Sequence, residues 1–178
     1  MCTITSNDSL KKAIRNIPDF PVKGIQFKDI TTLLKDPYLF NYAVNTITDY
    51  YFSKGITKVI AIESRGFIAG GAVASRLNAG FIPIRKPGKL PFHTYSVTYQ
   101  LEYGTDTQEI HQDALHENDV VLLHDDLLAT GGTTLAAIEL IKKFGVKTIF
   151  LNYIVELDFL GGREKIGNNF DIFTLVHY

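Results

Sequence analysis

The chain has 178 residues, is 46% hydrophobic and carries a formal net charge of −1; that length fits one domain burying about 70% of its unfolded surface. The balanced charge speaks against a nucleic-acid wrap or a membrane-surface anchor, and no apolar run approaches the roughly 18 residues of a membrane span. The single cysteine, Cys2, cannot close an internal disulfide, and residues 1–8 lack the basic patch and apolar run of a secretory leader, so a reducing, cytoplasmic setting is expected.

In chain order, a first helix is expected from Ser9 as N-cap through Leu10, Ala13, Ile14 and Ile17, stopping before Pro18. Residues 19–30 read as a loop, with prolines and Gly24 spaced among apolar side chains. Asp36 and Pro37 make the N-cap and first turn of a second helix, with Phe40, Val44, Ile47 and Tyr51 as its stripe and Gly55 ending it in the left-handed conformation. The pattern then becomes β-α-β: a buried strand over 59–62, a small-residue helix over 67–77 closing near Gly80, and a strand over 81–84. Further strands are expected over 120–124, 148–155 and 172–176. A helix over 134–144 joins the first two of these, with lysines in its last turn and Gly145 beyond. This alternation indicates an α/β protein with a parallel, doubly wound sheet.

Residues 85–120 break the rhythm. Tyr95, Val97, Tyr99, Leu101 and Tyr103 alternate with Ser96, Thr98, Gln100 and Glu102, the mark of a two-faced strand. Gly104, Thr105 and Asp106 can turn it back into a strand over 107–111. An antiparallel hairpin inserted in a parallel sheet points to a lid.

Chemistry concentrates in the run after residues 120–124. Asp125 and Asp126 come at the C-terminal end of that strand, where open α/β sheets bind ligands. Beyond them Ala129, Thr130, Gly131, Gly132 and Thr133 form a small, hydroxyl-bearing loop that opens a helix and offers backbone N–H groups to a phosphate. Acids beside a phosphate cradle suit a phosphorylated sugar, the acids taking ribose hydroxyls. Alone, the two carboxylates also fit solvated charge or a directly bound Mg²⁺. The loop is neither a Walker sequence nor a dinucleotide fingerprint, and without the acids an ordinary strand-to-helix turn explains it as well.

Glu63, Ser64, Arg65 and Gly66 follow the strand at 59–62 and offer a second anion site. From this tetrapeptide alone, a Ser64 N-cap with a surface arginine is also a plausible reading. If the two strands are sheet neighbours, both turns flank one crevice. Arg85, Lys86 and Lys89 open the long excursion, either as a solvated turn or as cations closing over a polyanion to exclude water. Glu102 is either a solvated glutamate before a turn or a group that manages protons on an attacking base. His93, His111, His116, His124 and His177 show no ligand-like spacing, which speaks against a structural metal site.

Several blocks then tie the chain to a known family. They are Pro18, Asp19, Phe20 and Pro21 with Gly24 and Phe27; Ser64, Arg65, Gly66 and Phe67; residues 85–91 continuing to Leu101, Glu102, Tyr103 and Gly104; and residues 125–133. Val155, Glu156 and Leu157 followed by Gly162, Arg163, Glu164 and Lys165 add a C-terminal match. With these the chain resembles the adenine phosphoribosyltransferases, within the type I phosphoribosyltransferases, over nearly its whole length.

The resemblance implies the type I phosphoribosyltransferase fold as a single domain, a mainly parallel twisted sheet flanked by helices. A small N-terminal hood takes about 1–35, the core about 36–178, and a flexible hairpin lid about 85–111. It implies Mg²⁺-dependent transfer of the 5-phosphoribosyl group from 5-phosphoribosyl-1-pyrophosphate (PRPP) to N9 of adenine, giving AMP and pyrophosphate in purine salvage. The metal would come with PRPP, with no direct protein ligand. A homodimer is implied, in which the facing subunit can supply a lid cation.

By position, Ala129, Thr130, Gly131, Gly132 and Thr133 would hold the 5-phosphate, and Asp125 and Asp126 the ribose. The turn of Glu63 and Ser64, with Arg65, Arg85 and Lys89, would meet pyrophosphate. Phe27 would stack on adenine, and the backbone around Gln26 and Lys28 would read its exocyclic amine. Glu102 would assist catalytically at the purine imidazole, at N7 or N9, with Tyr103 beside it in the lid.

Lys28 stands where the family often has arginine, Gln26 where it often has a small apolar residue, and Glu63 where aspartate is more frequent. The family also implies a cis peptide between Glu63 and Ser64. Two rivals stay open: a phosphoribosyltransferase for hypoxanthine, guanine, xanthine or orotate, and a PRPP-sensing regulator without catalysis.

Overall fold

A computed structural model describes residues 6–101 and 104–178. Helix α1 (Asn7–Ala13) is capped by the Ser6 hydroxyl, which accepts from the Ser9 amide. Strand β1 (Arg15–Pro18) then pairs antiparallel with β2 (Gln26–Asp29) as a separate two-stranded sheet. The first helix is therefore shorter than its apolar spacing predicts, and its cap is Ser6 rather than Ser9. The reason is tertiary: Ile17 faces Phe27 across the pair, and the Arg15 guanidinium lies 2.5 Å from Asp29 Oδ2. Hydrogen bonds from Thr31 and then from Arg15 hold the Asp29 carboxyl down at about 2.

Helix α2 (Thr31–Leu34) follows, and α3 (Pro37–Tyr51) starts as the sequence dictates. The Asp36 carboxylate accepts from the amides of Tyr38 and Leu39, Pro37 sits in the first turn, and Gly55 closes the segment at φ +68°. Val44, Ile47 and Tyr51 are buried, so the i, i+3, i+7 stripe faces inward.

The core follows as β3 (Lys58–Ile62), α4 (Gly66–Arg76), β4 (Gly80–Ile84), a ribbon of β5 (Thr94–Leu101) and β6 (Gly104–His111), then β7 (Val120–Leu128), α5 (Gly132–Lys142), β8 (Thr148–Glu156), α6 (Gly162–Ile166) and β9 (Asp171–His177). The central sheet has the order β4-β3-β7-β8-β9, all parallel. Alternate residues of each strand serve two cores. Ile60, Ile62, Val121 and Leu123 pack with Ala137, Leu140 and Ile141 of α5 on one face, while Val59 and Leu122 pack with α3 and α4 on the other.

The ribbon is not part of this sheet. It is its own two-stranded sheet, joined just beyond β4 by an isolated bridge from Arg85 to Glu109. The second strand begins at Gly104, so Gly104, Thr105 and Asp106 lie in the strand rather than in the turn. The two-faced reading of the first strand holds: Tyr95, Val97 and Tyr99 pack on the α5 side, with the Tyr95 ring 5.3 Å from that of Phe144.

Candidate active site

The chain goes from β3 to β4 on one side and returns as β7 on the other, so the strand order reverses between β3 and β7. Ligands of open α/β sheets bind at such a switch point, beyond the carboxyl ends of the strands. A crevice of about 460 Å³ opens there, bordered by both strand-to-helix turns and by Tyr99, Asp106 and Gln108 of the ribbon.

On the β7 side, the strand does not stop at the acids. Asp125 and Asp126 lie inside β7, which runs on to Leu128 because β8 continues to pair with it as far as Glu156. The expected strand end at residue 124 is thus four residues too early, although the acids still line the crevice. Gly131 adopts the left-handed conformation at φ +78°, and α5 starts at Gly132, with Gly131, Thr133 and Thr134 lining the crevice at the helix N-terminus, where backbone amides are left free. The Thr134 hydroxyl is within 2.8 Å of the Tyr153 hydroxyl, which pins the first turn of the helix to the sheet.

Burial pushes the Asp125 carboxyl well above the usual range, and the neighbouring Asp126 charge pushes it further. Asp126 is 4% exposed and raised by burial, with Arg65 opposing that rise. Asp126 Oδ2 makes no hydrogen bond of good geometry, yet Arg65 Nε stands 3.0 Å from it. Below the pair, His124 is wholly buried, with Nδ1 2.7 Å from Asn152 Oδ1 and Nε2 without a partner. Burial lowers its pKa to about 4, so the ring is neutral at neutral pH.

On the β3 side, the Glu63–Ser64 peptide is cis, as the family likeness implies. Gly66 must be small: a Cβ there would stand 3.0 Å from Asp125 Oδ1 and 3.3 Å from Asp125 Cα. The turn is wired by charge. Glu63 accepts from Lys89 Nζ, from Arg85 Nε at 3.1 Å and from the Lys86 amide at 3.0 Å. Burial alone would raise its pKa, but these donors outweigh it and hold the carboxyl at about 2. The Glu63 carboxylate thus gathers the cations Arg85 and Lys89 beside the turn. Lys86 turns instead to Asp106 of the ribbon, at 3.1 Å.

The Arg65 guanidinium also stands 5.1 Å from the Phe27 ring centre, and Phe20 meets Phe27 edge-on at 5.1 Å. This brings the β1–β2 pair to the mouth of the second turn. Gln26 and Lys28 point the other way: Gln26 Oε1 accepts from Asn16, while Lys28 donates to Asn16 Oδ1 and lies 3.9 Å over the Tyr178 ring. Glu102 and Tyr103 lie outside the described residues.

The sequence reading missed Asp106 and Gln108, which border the crevice, and missed that Tyr99 reaches Thr133. Gln108 Nε2 donates to Thr133 O, while its buried Oε1 has no partner. Only Tyr99 carried a signal, its place on the apolar face of the alternating strand. Among the described residues, the one group of potential metal-ligating side chains is Glu156, Asp158 and His177, and Arg163 and Thr174 already engage the Glu156 carboxylate.

A phosphoribosyl transferase domain model matches residues 41–158. An adenine phosphoribosyltransferase of Bacteroides thetaiotaomicron is 57% identical over 97% of this chain and 98% of its own. Among solved structures, the adenine phosphoribosyltransferase of Thermoanaerobacter pseudethanolicus superposes with a TM-score of 0.93 at 46% identity, covering 97% of this chain and 100% of that one. An APRTase from Giardia lamblia complexed with 9-deazaadenine gives 0.94 at 45% identity, covering 98% of each. The chain belongs to the phosphoribosyltransferases of type I fold, and among them to the adenine phosphoribosyltransferases. No helix of the described residues is long and apolar enough to cross a membrane.

Proposed function

We propose that this chain transfers the 5-phosphoribosyl group of PRPP to N9 of adenine, releasing pyrophosphate and forming AMP, as a purine-salvage enzyme of the cytoplasm acting as a homodimer. The observation that carries the reading is the adjacency of β3 and β7, with Arg65 of the turn after β3 3.0 Å from Asp126 within β7. One small crevice thus holds an anion-binding turn on each side of an acid pair.

In this reading the amides at 129–133 and the hydroxyls of Thr130 and Thr133 hold the 5-phosphate. Arg65 and the amides at 64–66 take the pyrophosphate, joined by Arg85 and Lys89 once they leave Glu63. Asp125 and Asp126 accept from the ribose hydroxyls. Those donors favour the ionised carboxylates, which then face the positive charge growing at C1 as its bond to the pyrophosphate oxygen breaks. Phe27 stacks on the base, whose N9 forms the new bond to C1, and Glu102 manages the imidazole proton.

Asp125 and Asp126 line the crevice as hydroxyl acceptors, and Arg65 already stands 3.0 Å from Asp126 Oδ2, so the lining fits Mg²⁺ carried in on PRPP rather than held directly by the chain. Mg²⁺ brought by PRPP would supply charge neutralisation at the pyrophosphate, while Asp125 and Asp126 hold the ribose hydroxyls.

Incubating the protein with PRPP, Mg²⁺ and each of adenine, guanine, hypoxanthine, xanthine and orotate tests the reading. Turnover confined to adenine is expected; turnover of another base with none of adenine would overturn it.

A further inference from the structure

One block that the sequence singles out has no part in the chemistry above: Gly162, Arg163, Glu164 and Lys165. In the fold it returns from the end of β8 and lies directly on the loop leaving β7. A Cβ at Gly162 would stand 2.1 Å from Ala129 O, 3.0 Å from Ala129 C and 3.1 Å from Gly131 N. In the opposite direction, a Cβ at Gly131 would stand 2.8 Å from Gly162 O. Two backbones are therefore stacked with no side chain between them, and the contacted stretch is the one read as the 5-phosphate cradle.

The stack is clamped from behind. Arg163 donates in a fork to Glu156, Nε to Oε1 at 2.8 Å and Nη2 to Oε2 at 2.6 Å, and Nη1 reaches Ile172 O at 3.3 Å. Glu156 is 3% exposed, and the Thr174 hydroxyl donates to its Oε2 at 2.9 Å. Glu156 is also the β8 residue paired with Leu128, and the Leu157 amide donates to Leu128 O. The chain thus closes a ring: the end of β7, the end of β8, the Arg163 fork, Gly162, and back to the loop that leaves β7. A bidentate arginine–carboxylate pair fixes orientation as well as distance, so the ring sets where residues 129–131 stand.

We propose that Gly162 and Arg163 are positioning residues for the 5-phosphate cradle, Gly162 by permitting the backbone contact and Arg163 by locking it. The proposal rests on the reading that residues 129–133 hold that phosphate. A methyl at Gly162 cannot be absorbed by a rotating side chain, because what it meets is the Ala129 carbonyl; the loop itself must shift. Displacing a substrate-positioning loop by about 1 Å costs on the order of a hundredfold in rate. The loss should fall on ligands that carry the 5-phosphate and spare the free base.

The test measures kcat and the KM for PRPP and adenine, and the Kd for AMP, in wild type, Gly162→Ala, Arg163→Gln and Gly71→Ala. Nothing lies within 4 Å of a Cβ at Gly71, so that last variant is expected to match wild type. Gly162→Ala should raise the PRPP KM and the AMP Kd by roughly ten- to a hundredfold while the adenine KM stays within about twofold. Arg163→Gln introduces no clash, and should raise the same two constants several-fold. It decides the question alone if Gly162→Ala does not fold. Unchanged PRPP and AMP constants, or an equal rise for adenine, would overturn the positioning role. A wild type without adenine turnover would instead sink the functional reading on which it rests.

Discussion

The two turns that border the crevice are built on opposite principles. The loop at 129–131 carries no charge and is held by packing: Gly131 against Gly162, with Thr134 tied to Tyr153. The turn at 63–66 is held by charge: Glu63 gathers Arg85, Lys89 and the Lys86 amide, and Arg65 faces Asp126. The difference matches what each would bind. A 5-phosphate is retained from substrate to product, so a fixed cradle serves it throughout. Pyrophosphate has to leave, and cations already paired with a carboxylate exchange one anion for another rather than being exposed bare to water.

The sharpest way to break this contrast is Arg65→Ala, which removes an anion contact and leaves Asp126 buried without its cation. A fall in kcat/KM of about a hundredfold or more is expected from steady-state kinetics; a fall below tenfold would show that Arg65 is not central to the charged turn.

The packed side has one titratable weak point, His124. Its pKa is about 4 in the fold against 6.5 for a free imidazole, so between these values the unfolded chain binds more protons. Stability from this group is complete above about pH 6.5 and is lost as the pH falls toward 4, by about 3 kcal/mol. Denaturant titrations across that window should show a shallower acid-side decline in His124→Val than in wild type, whatever the variant's absolute stability. Parallel curves would contradict the buried, neutral ring. The depressed carboxylates of Asp29 and Glu63 titrate lower, toward pH 2, and are common to both proteins.

Glu63→Gln sharpens the exchange idea. The cations it pairs with are 34% and 46% exposed on their side chains, so each link contributes at most about 1 kcal/mol. Pyrophosphate should therefore inhibit the variant about fivefold more tightly at low salt, with the gap closing at high salt. Weaker inhibition would mean that Glu63 orders the turn rather than competing for its cations. The smallest effect is expected at Lys28, whose side chain turns to Asn16 and Tyr178. Lys28→Ala should leave the adenine KM within about twofold, and a larger change would show that this side chain reads the base.

Most of the core was legible because its signals are local. A stripe at helical spacing, a proline after an acid and a glycine after a lysine placed α3, and short runs of four residues, 59–62 and 81–84, placed β3 and β4. The misses are tertiary. Leu10, Ala13, Ile14 and Ile17 fit a helix as far as Ile17, but pairing of Ile17 with Phe27 and of Arg15 with Asp29 converts the end of that run into a strand. The length of β7 is set by its neighbour β8, which no window around Asp125 contains.

In the site, the hydroxyl-rich loop and the acid pair are contiguous in sequence and could be read directly. The link from Glu63 to Arg85 and Lys89 spans more than twenty residues, and the stack of Gly131 on Gly162 spans the whole α5–β8 unit. A glycine needed for close approach looks, in sequence, like a glycine needed for a turn.

The most direct measurement is a crystal structure with PRPP and Mg²⁺ bound. One molecule should span the crevice, its 5-phosphate on the amides at 129–133, its ribose hydroxyls on Asp125 and Asp126, and its pyrophosphate on Arg65 and the turn at 64–66. A sugar bound away from the junction of β3 and β7, or held by one turn while the other stays out of reach, would contradict it.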